Sequence, residues 1–197
     1  VVSVVVAALA TGCGSGTISE KVDMDKLKDM SRQGRLWIYD AENEIVVALD
    51  KLDEAKDHLL RIRRQIKRAQ RGVERAEKRK NRLGVQVAEA WLAHLEAMED
   101  WAEENIDLQR IGVLVALATV ELAKAQVINR EDLLGGKDFD MKDYKEQYES
   151  FRQEYIDESS RIKKLRQRAR KREKKWWKLR QSFVAQTGDY DSGLWIE

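Results

Sequence analysis

Residues 38–76 have the sequence IYDAENEIVVALDKLDEAKDHLLRIRRQIKRAQRGVERA, and this stretch decides the fold. Its apolar side chains recur at alternating intervals of three and four residues, which places them on one face of an α-helix. Such a row keeps facing a partner helix only if the helices wind around each other as a left-handed coiled coil. The row consists of Ile38, Ala41, Ile45, Ala48, Leu52, Ala55, Leu59, Ile62, Ile66, Ala69, Val73 and Ala76.

The composition agrees with long helices. None of the 197 residues is proline, which breaks helix interiors by removing an amide donor. We predict the first long helix over residues 36–81. Asn81 and Gly84 are residue types that favour helix ends and turns, so we expect the chain to reverse near them. Upstream, the sequence Thr17-Ile18-Ser19-Glu20 matches a capping box and predicts a short additional helix.

Two further helices of similar length are predicted over residues 85–132 and 139–186. Gly135 and Gly136 mark the boundary between them, and Asp138 or Asp140 can cap the third helix. The most apolar part of the second helix, residues 111–120, should be buried on several sides. We interpret the aromatic residues of the third helix as core. Its apolar row consists of Met141, Tyr144, Tyr148, Phe151, Tyr155, Ile162, Leu165, Ala169, Trp176, Leu179 and Phe183.

Three helices of matched length favour an all-α fold, an elongated antiparallel three-helix coiled-coil bundle of roughly 70 Å. A second interpretation is open, because the heptad phase continues without interruption from Val73 through Gly84 to Ala118. One helix of about 90 residues, with a shorter helix folded back on its second half, would preserve that phase. Half of its apolar row would then need a second protomer, so this alternative is a dimer.

Charge favours the bundle. Residues 61–82 and 161–180 are strongly basic, whereas residues 89–107 contain seven carboxylates and no Lys or Arg. In an up-down-up bundle, the acidic half of the second helix lies between the two basic halves. Each exposed ion pair contributes only about 0.2–1 kcal/mol, but opposite stretches set register and orientation.

The same pattern predicts a basic tip at the end of the bundle where the first helix ends and the second begins. This tip could bind a polyanion or an acidic protein surface. A solvated face that keeps the protein soluble is the alternative interpretation. The tip residues are Arg71, Arg75, Arg79, Lys80, Arg82, Arg168, Arg170, Lys171, Arg172, Lys174, Lys175, Trp176 and Trp177. Trp195, on a tail expected to be flexible, could dock back on the bundle or on a partner.

The sequence offers little for catalysis. His58 and His94 are the only histidines, neither lies in a Glu-x-x-His pair, and we expect both at the surface or at an edge. The glycines form no phosphate-binding loop. We therefore predict no enzymatic activity, no cofactor and no metal site.

The chain begins VVSVVVAALATGC, residues 1–13, in which a short apolar run ends in small residues before the only cysteine. This start resembles the lipobox of bacterial lipoproteins, in which signal peptidase II cleaves before the cysteine and diacylglycerol is attached to its sulfur. Ala10 departs from the usual Leu or Val of that motif. The resemblance implies a signal remnant over residues 1–12 and lipidation of Cys13. Because Gly14 follows, rather than the Asp that retains such proteins in the inner membrane, it implies the periplasmic face of the outer membrane.

The expected organisation is a lipidated N-terminus, linker and short helix over residues 13–35, the bundle over residues 36–186 and a tail over residues 187–197. The expected function is a non-catalytic spacer, tether or assembly adaptor of the cell envelope. Its expected partners are a membrane, through the lipid, and an envelope protein or peptidoglycan, but not nucleic acid. Two alternatives are a module that binds polyanions or peptidoglycan through the basic tip, and a self-assembling coiled coil or homo-oligomer.

Overall fold

The computed structural model describes residues 16–136, 139–190, 193 and 195, and 83% of them are helical, with no strand among them. A short 3-10 helix, Met24–Leu27, precedes three long helices: α1 (Arg32–Lys78), α2 (Arg82–Arg130) and α3 (Lys142–Thr187). The three helices pack against one another as a bundle, which confirms the predicted fold class. The signal remnant, Cys13 and Asp138 lie outside the described residues.

A tight reversal joins α1 to α2, so the alternative of one continuous helix is wrong. Lys80 takes a left-handed backbone conformation with φ 54°, and its amide donates to the Glu77 carbonyl at 2.8 Å. The Asn81 side chain then accepts from the Gly84 amide at 2.9 Å, which caps α2. Asn81 thus lies before α2 as its cap, and not at the end of α1. α1 ends at Lys78, three residues before its predicted end, and α2 begins at Arg82, three residues before its predicted start.

The predicted apolar row of α1 forms its packed face. Nine of its twelve residues are buried, and the other three, Ile45, Ala48 and Val73, are half-buried. Ala69 is 3% exposed and Ala76 is fully buried, which fits the close helix approach that small side chains permit. The three-four spacing therefore identified the core side of α1 along its length.

The chain divides into two compact units. The first contains the described residues up to Ile45 together with Arg110–Arg152, and the second contains Val46–Gln109 together with the described residues from Gln153 onward. Each unit contains a part of all three long helices. In the first unit, the main apolar cluster consists of Val22, Leu27, Ile38, Ala125, Val127 and Ile128.

Residues 16–23 have no helix and pack on the rest of the first unit. The Gln147 side chain accepts from the amides of Ser19 and Glu20, at 2.8 and 3.0 Å, and Glu121 accepts from the Val22 amide at 2.7 Å. No helix begins at Thr17, so the capping box does not form, and the short helix of this segment is the 3-10 helix Met24–Leu27. The amides of Ser19 and Glu20 bond to the Gln147 side chain of α3 instead, and the first helical turn follows Asp23, which accepts from the Asp25 amide.

Glu131, just after α2, holds the start of α1. Its carboxylate accepts from the Ser31 amide at 2.7 Å and from the Ser31 hydroxyl at 2.6 Å, while Ser31 caps the Gly34 amide at 3.1 Å. A Cβ at Gly34 would lie 2.6 Å from the Glu131 carboxylate and 2.9 Å from Val127. Gly34 therefore lies within α1 as a close-packing position and does not interrupt the helix.

The C-terminal half of α2 is the central apolar element of the first unit. None of the residues 111–128 is exposed, as the sequence predicted for 111–120. An 18-residue window of α2 reaches a mean hydropathy of 1.8, enough by length and composition for a membrane span. Of that window, 44% is buried inside the bundle.

The turn between α2 and α3 follows its predicted residues. Gly135 and Gly136 both have positive φ, at 63° and 77°, where a side chain would be strained. Asp132 accepts from the Gly136 amide at 2.7 Å, and Asp140 accepts from the Lys142 amide at 2.8 Å at the start of α3. Asp140 is thus the capping residue among the described ones.

Replacing Glu131 tests the junction between α1 and α2. Hydrogen bonds from Ser31 lower the pKa of the Glu131 carboxyl. A lowered folded-state pKa contributes stability above the unfolded value of about 4.3, and this contribution is lost as the pH falls through the folded value. We expect Glu131→Gln to reduce the melting temperature at neutral pH. Below about pH 4.3, the melting temperature of this variant should fall less steeply with pH than that of the wild type. Thermal melts across this range check it, with the exposed Glu42→Gln as control. Identical pH profiles for wild type and Glu131→Gln would contradict it.

Candidate functional site

The second unit brings together the basic residues that the sequence assigned to a tip. These eleven cations, called here the basic surface, are Arg71, Arg75, Arg79, Lys80, Arg82, Arg168, Arg170, Lys171, Arg172, Lys174 and Lys175. All belong to this unit, at the end of α1, in the turn after it, at the start of α2 and in the second half of α3. Ten are exposed, and Arg172 is half-buried.

Helix packing in this unit has the antiparallel order that the charges predicted. On one side of α2, Arg63 of α1 pairs with Glu99 at 2.8 Å and with Glu103 at 2.6 Å. On the other side, Arg161 of α3 pairs with Glu104 at 2.6 Å. The acidic part of α2 therefore lies between basic helices on both sides, and the groups involved are partly exposed, so each pair contributes about 0.2–1 kcal/mol.

These ion pairs do not reach the basic surface. Within the described part of the chain, none of its eleven members forms an ion pair with a carboxylate. Two of them instead donate to backbone carbonyls: Arg75 to Gly193 at 2.7 Å and Arg172 to Ala93 at 2.7 Å. The surface thus keeps most of its positive charge available to an external anion.

Trp176 belongs to the core and not to the surface. It is 2% exposed, and its ring centroid lies 4.4 Å from that of Trp91. The reason is its position, because it continues the row of Ile162, Ala169 and Phe183 that faces the other helices. Trp177, one residue further, is 43% exposed and is the indole of this pair that a partner can contact.

His94 supports this aromatic core. It is 8% exposed, its ring centroid lies 5.3 Å from that of Trp91, and its Nδ1 lies 3.1 Å from the Ala169 carbonyl oxygen. The prediction of a surface or edge position is therefore wrong for His94. It took no account of the third helix, whose backbone supplies a partner for the imidazole.

Arg180 connects the aromatic core to the C-terminal residues. Its guanidinium lies 5.6 Å from the ring centroid of Trp176, 4.9 Å from that of Trp177 and 5.1 Å from that of Trp195. Trp195 is 8% exposed and packs edge-to-face on Phe183. It thus docks back on the unit, one of two placements that the sequence left open. The tail residues Asp191, Ser192, Leu194, Ile196 and Glu197 lie outside the described part.

Two further groups of polar side chains lie beside the ion pairs. His58 packs edge-to-face on Trp101, with centroids 5.5 Å apart, and its buried Nε2 has no hydrogen-bond partner among the described residues. Burial, and secondarily the positive charge of Arg61, lower the pKa of His58. Across α2, burial raises the pKa of Glu104, although Arg161 opposes this, and the neighbouring carboxyl of Glu158 adds to the rise. The sequence did not predict either group, because the members of each lie on different helices.

No group of three or more His, Cys, Asp or Glu side chains in the described residues could hold a metal ion. The two best-defined depressions are open, measure about 350 and 280 Å³, and lie around Trp37 in the first unit, with no member of the basic surface in their lining. The sequence pattern missed these depressions because Trp37 lies beside, and not on, the apolar row of α1.

Comparisons with protein-family models, curated proteins and solved structures give no match to this chain.

The two neighbouring indoles should differ sharply in their effect on stability. We expect Trp176→Ala to lower the free energy of unfolding by about 3–5 kcal/mol, because it empties a buried aromatic site. Trp177→Ala should cost about 1 kcal/mol, since it removes a partly exposed ring and one cation–π contact. Urea unfolding followed by circular dichroism measures both. Equal losses in the two variants would contradict the assignment of Trp176 to the core and Trp177 to the surface.

Proposed function

We propose that this chain is a lipid-anchored structural protein of the bacterial envelope that acts, without catalysis, as a spacer, tether or assembly adaptor. The lipid is carried by Cys13, and the location is the periplasmic face of the outer membrane. Both follow from the resemblance of residues 1–14 to a lipoprotein start. The basic surface is the part that meets an acidic component of the envelope.

One observation carries the proposal: ten exposed cations of one compact unit have no carboxylate partner in the described chain. A bundle needs no such excess for its own packing, since like charges on one face repel each other and lower stability. Arg63 and Arg161, which do pair with α2, are enough to orient the helices. The remaining cations are therefore best explained by an external anion, such as an acidic envelope protein or the carboxylates of peptidoglycan.

A second candidate is a polyanion-binding module in which the helices merely present the basic surface. The exposed Trp177 beside these cations favours it, because an aromatic ring adds contact area to a charged site. Self-assembly through the apolar row has less support. That row packs against other helices of the same chain, so it does not require a second protomer.

Metabolic labelling with a fatty acid tests the anchor. The full chain, expressed in a Gram-negative host with a complete lipoprotein signal, should incorporate the label and sediment with outer membranes. Cys13→Ser should remove both the label and the membrane association, since the thiol is the acceptor. An unlabelled wild-type protein in the soluble fraction would contradict the proposed anchor.

Charge reversal tests the basic surface in the same cells. We expect Arg168→Glu, Arg170→Glu and Lys171→Glu together to abolish crosslinking to envelope components without unfolding the protein, because all three side chains are exposed and unpaired. The matched control, Arg35→Glu, Lys51→Glu and Lys145→Glu, makes the same change in net charge at exposed positions elsewhere. Equal crosslinking by both triple variants would argue against the basic surface as the contact.

A further inference from the structure

The outer side of α3 in the second unit carries cations in two regular rows. The first row is Lys164, Arg168, Lys171, Lys175 and Lys178, with spacings of four, three, four and three residues. All five side chains are exposed. This is the same spacing that defines an apolar seam, so the five charges line one straight stripe of about 21 Å along the helix.

The second row lies beside the first. It consists of Lys163, Gln167, Arg170, Lys174 and Trp177, again with spacings of four, three, four and three. All of these side chains are exposed, and Trp177 ends the row. The cations of the two rows are called here the lysine face: Lys163, Lys164, Arg168, Arg170, Lys171, Lys174, Lys175 and Lys178.

The lysine face has no internal counter-charge. Residues 163–181 contain a single carboxylate, Glu173, which is half-buried on the side toward the other helices. In the described part of the chain, none of the eight cations forms an ion pair or a side-chain hydrogen bond. The face is therefore a strip of exposed ammonium and guanidinium groups without a partner in the described part of the chain.

The residue types indicate what such a strip can bind. Lysine is depleted in protein–protein interfaces, whereas six of these eight cations are lysine. Recognition of base edges relies on Arg, Asn and Gln, and single-strand binding relies on several stacking aromatics, of which this face has one. Flexible lysines beside an exposed indole are instead typical of surfaces that lie on anionic lipid headgroups.

We propose that the lysine face docks on an anionic lipid surface, with Trp177 at the level of the headgroups. This inference rests on the proposed function in one respect, the assignment of the basic surface as the part that binds, and it names the acidic envelope component as lipid. It does not depend on lipidation of Cys13.

Vesicle flotation tests the docking. The full chain with Cys13→Ser is mixed with vesicles of phosphatidylcholine alone, or with about one third phosphatidylglycerol, and the ratio of the two partition coefficients is measured. Residues 1–12 are common to all variants, so this ratio reports charge-dependent binding. The test variant replaces the first row with glutamine: Lys164→Gln, Arg168→Gln, Lys171→Gln, Lys175→Gln and Lys178→Gln. The control removes five exposed cations elsewhere: Lys21→Gln, Arg32→Gln, Arg35→Gln, Lys51→Gln and Lys145→Gln.

We expect a ratio of about ten or more for the starting protein, a fall of about tenfold in the test variant, and a change of less than about twofold in the control. The ratio should also fall at high salt, since charges on a surface are screened. Circular dichroism should show both variants folded, because glutamine is a good helix former at exposed positions.

Three results would overturn the inference: a ratio near one for the starting protein, an equal fall in both variants, or preferential binding to a competing polymer. The competitors are duplex DNA and isolated peptidoglycan sacculi, each added to the anionic vesicles at equal charge. Failure of fatty-acid labelling at Cys13 would count against the proposed anchor and leave the vesicle result standing, so the two proposals can fail separately.

Discussion

The packing of the small apolar residues of α1 against the other helices of its own chain is the constraint on which the rest of the structure depends. Ala41, Ala55, Ala69 and Ala76 are all buried, and they let neighbouring helices approach closely. That packing requires a reversal after α1, which Lys80 and Asn81 provide within three residues. Once α1 and α2 are antiparallel, the turn at Gly135 and Gly136 returns α3 beside them.

The distribution of charge follows from this packing. Because the apolar rows turn inward, many other positions of α1 and α3 in the second unit face the solvent, and Lys and Arg are more frequent than Asp and Glu among the exposed ones. In the acidic part of α2, Glu99 and Glu103 pair with Arg63, and Glu104 pairs with Arg161. The basic surface therefore results from an excess of cations over carboxylates in this unit, and not from an unusual backbone. The same surface supports the proposed role in binding an acidic component of the envelope.

The sequence predicted the elements that depend on periodicity, and missed those that depend on contacts between distant residues. The three-four spacing identified the core side of α1, and Gly135 with Gly136 identified the last turn. In contrast, Gln147 and Glu131 hold the chain before α1 through bonds across more than 90 residues, which no local pattern reveals. The capping box at Thr17 failed for this reason, since the same polar groups found partners on other helices.

In the candidate site, too, helical periodicity predicts some features, whereas others depend on contacts between helices. Charge counts grouped Trp176 with Trp177 at the predicted tip, although Trp176 is buried and Trp177 is exposed. Helical phase separates the two, because the predicted apolar row of the third helix contains Trp176 and not Trp177. The burial of His94 depends on the Ala169 carbonyl of another helix and could not be read from its neighbours in sequence.

The central claim is that α1 pairs with α2 of the same chain. Arg63→Cys with Glu99→Cys, in a Cys13→Ser background, places two thiols where the structure has an ion pair of 2.8 Å. Treatment with a short bis-maleimide, followed by a denaturing gel, shows whether each crosslink joins one chain or two. If α1 pairs with α2 of the same chain, we expect crosslinked monomers at every protein concentration. Crosslinked dimers that increase with concentration would contradict it and indicate pairing between protomers.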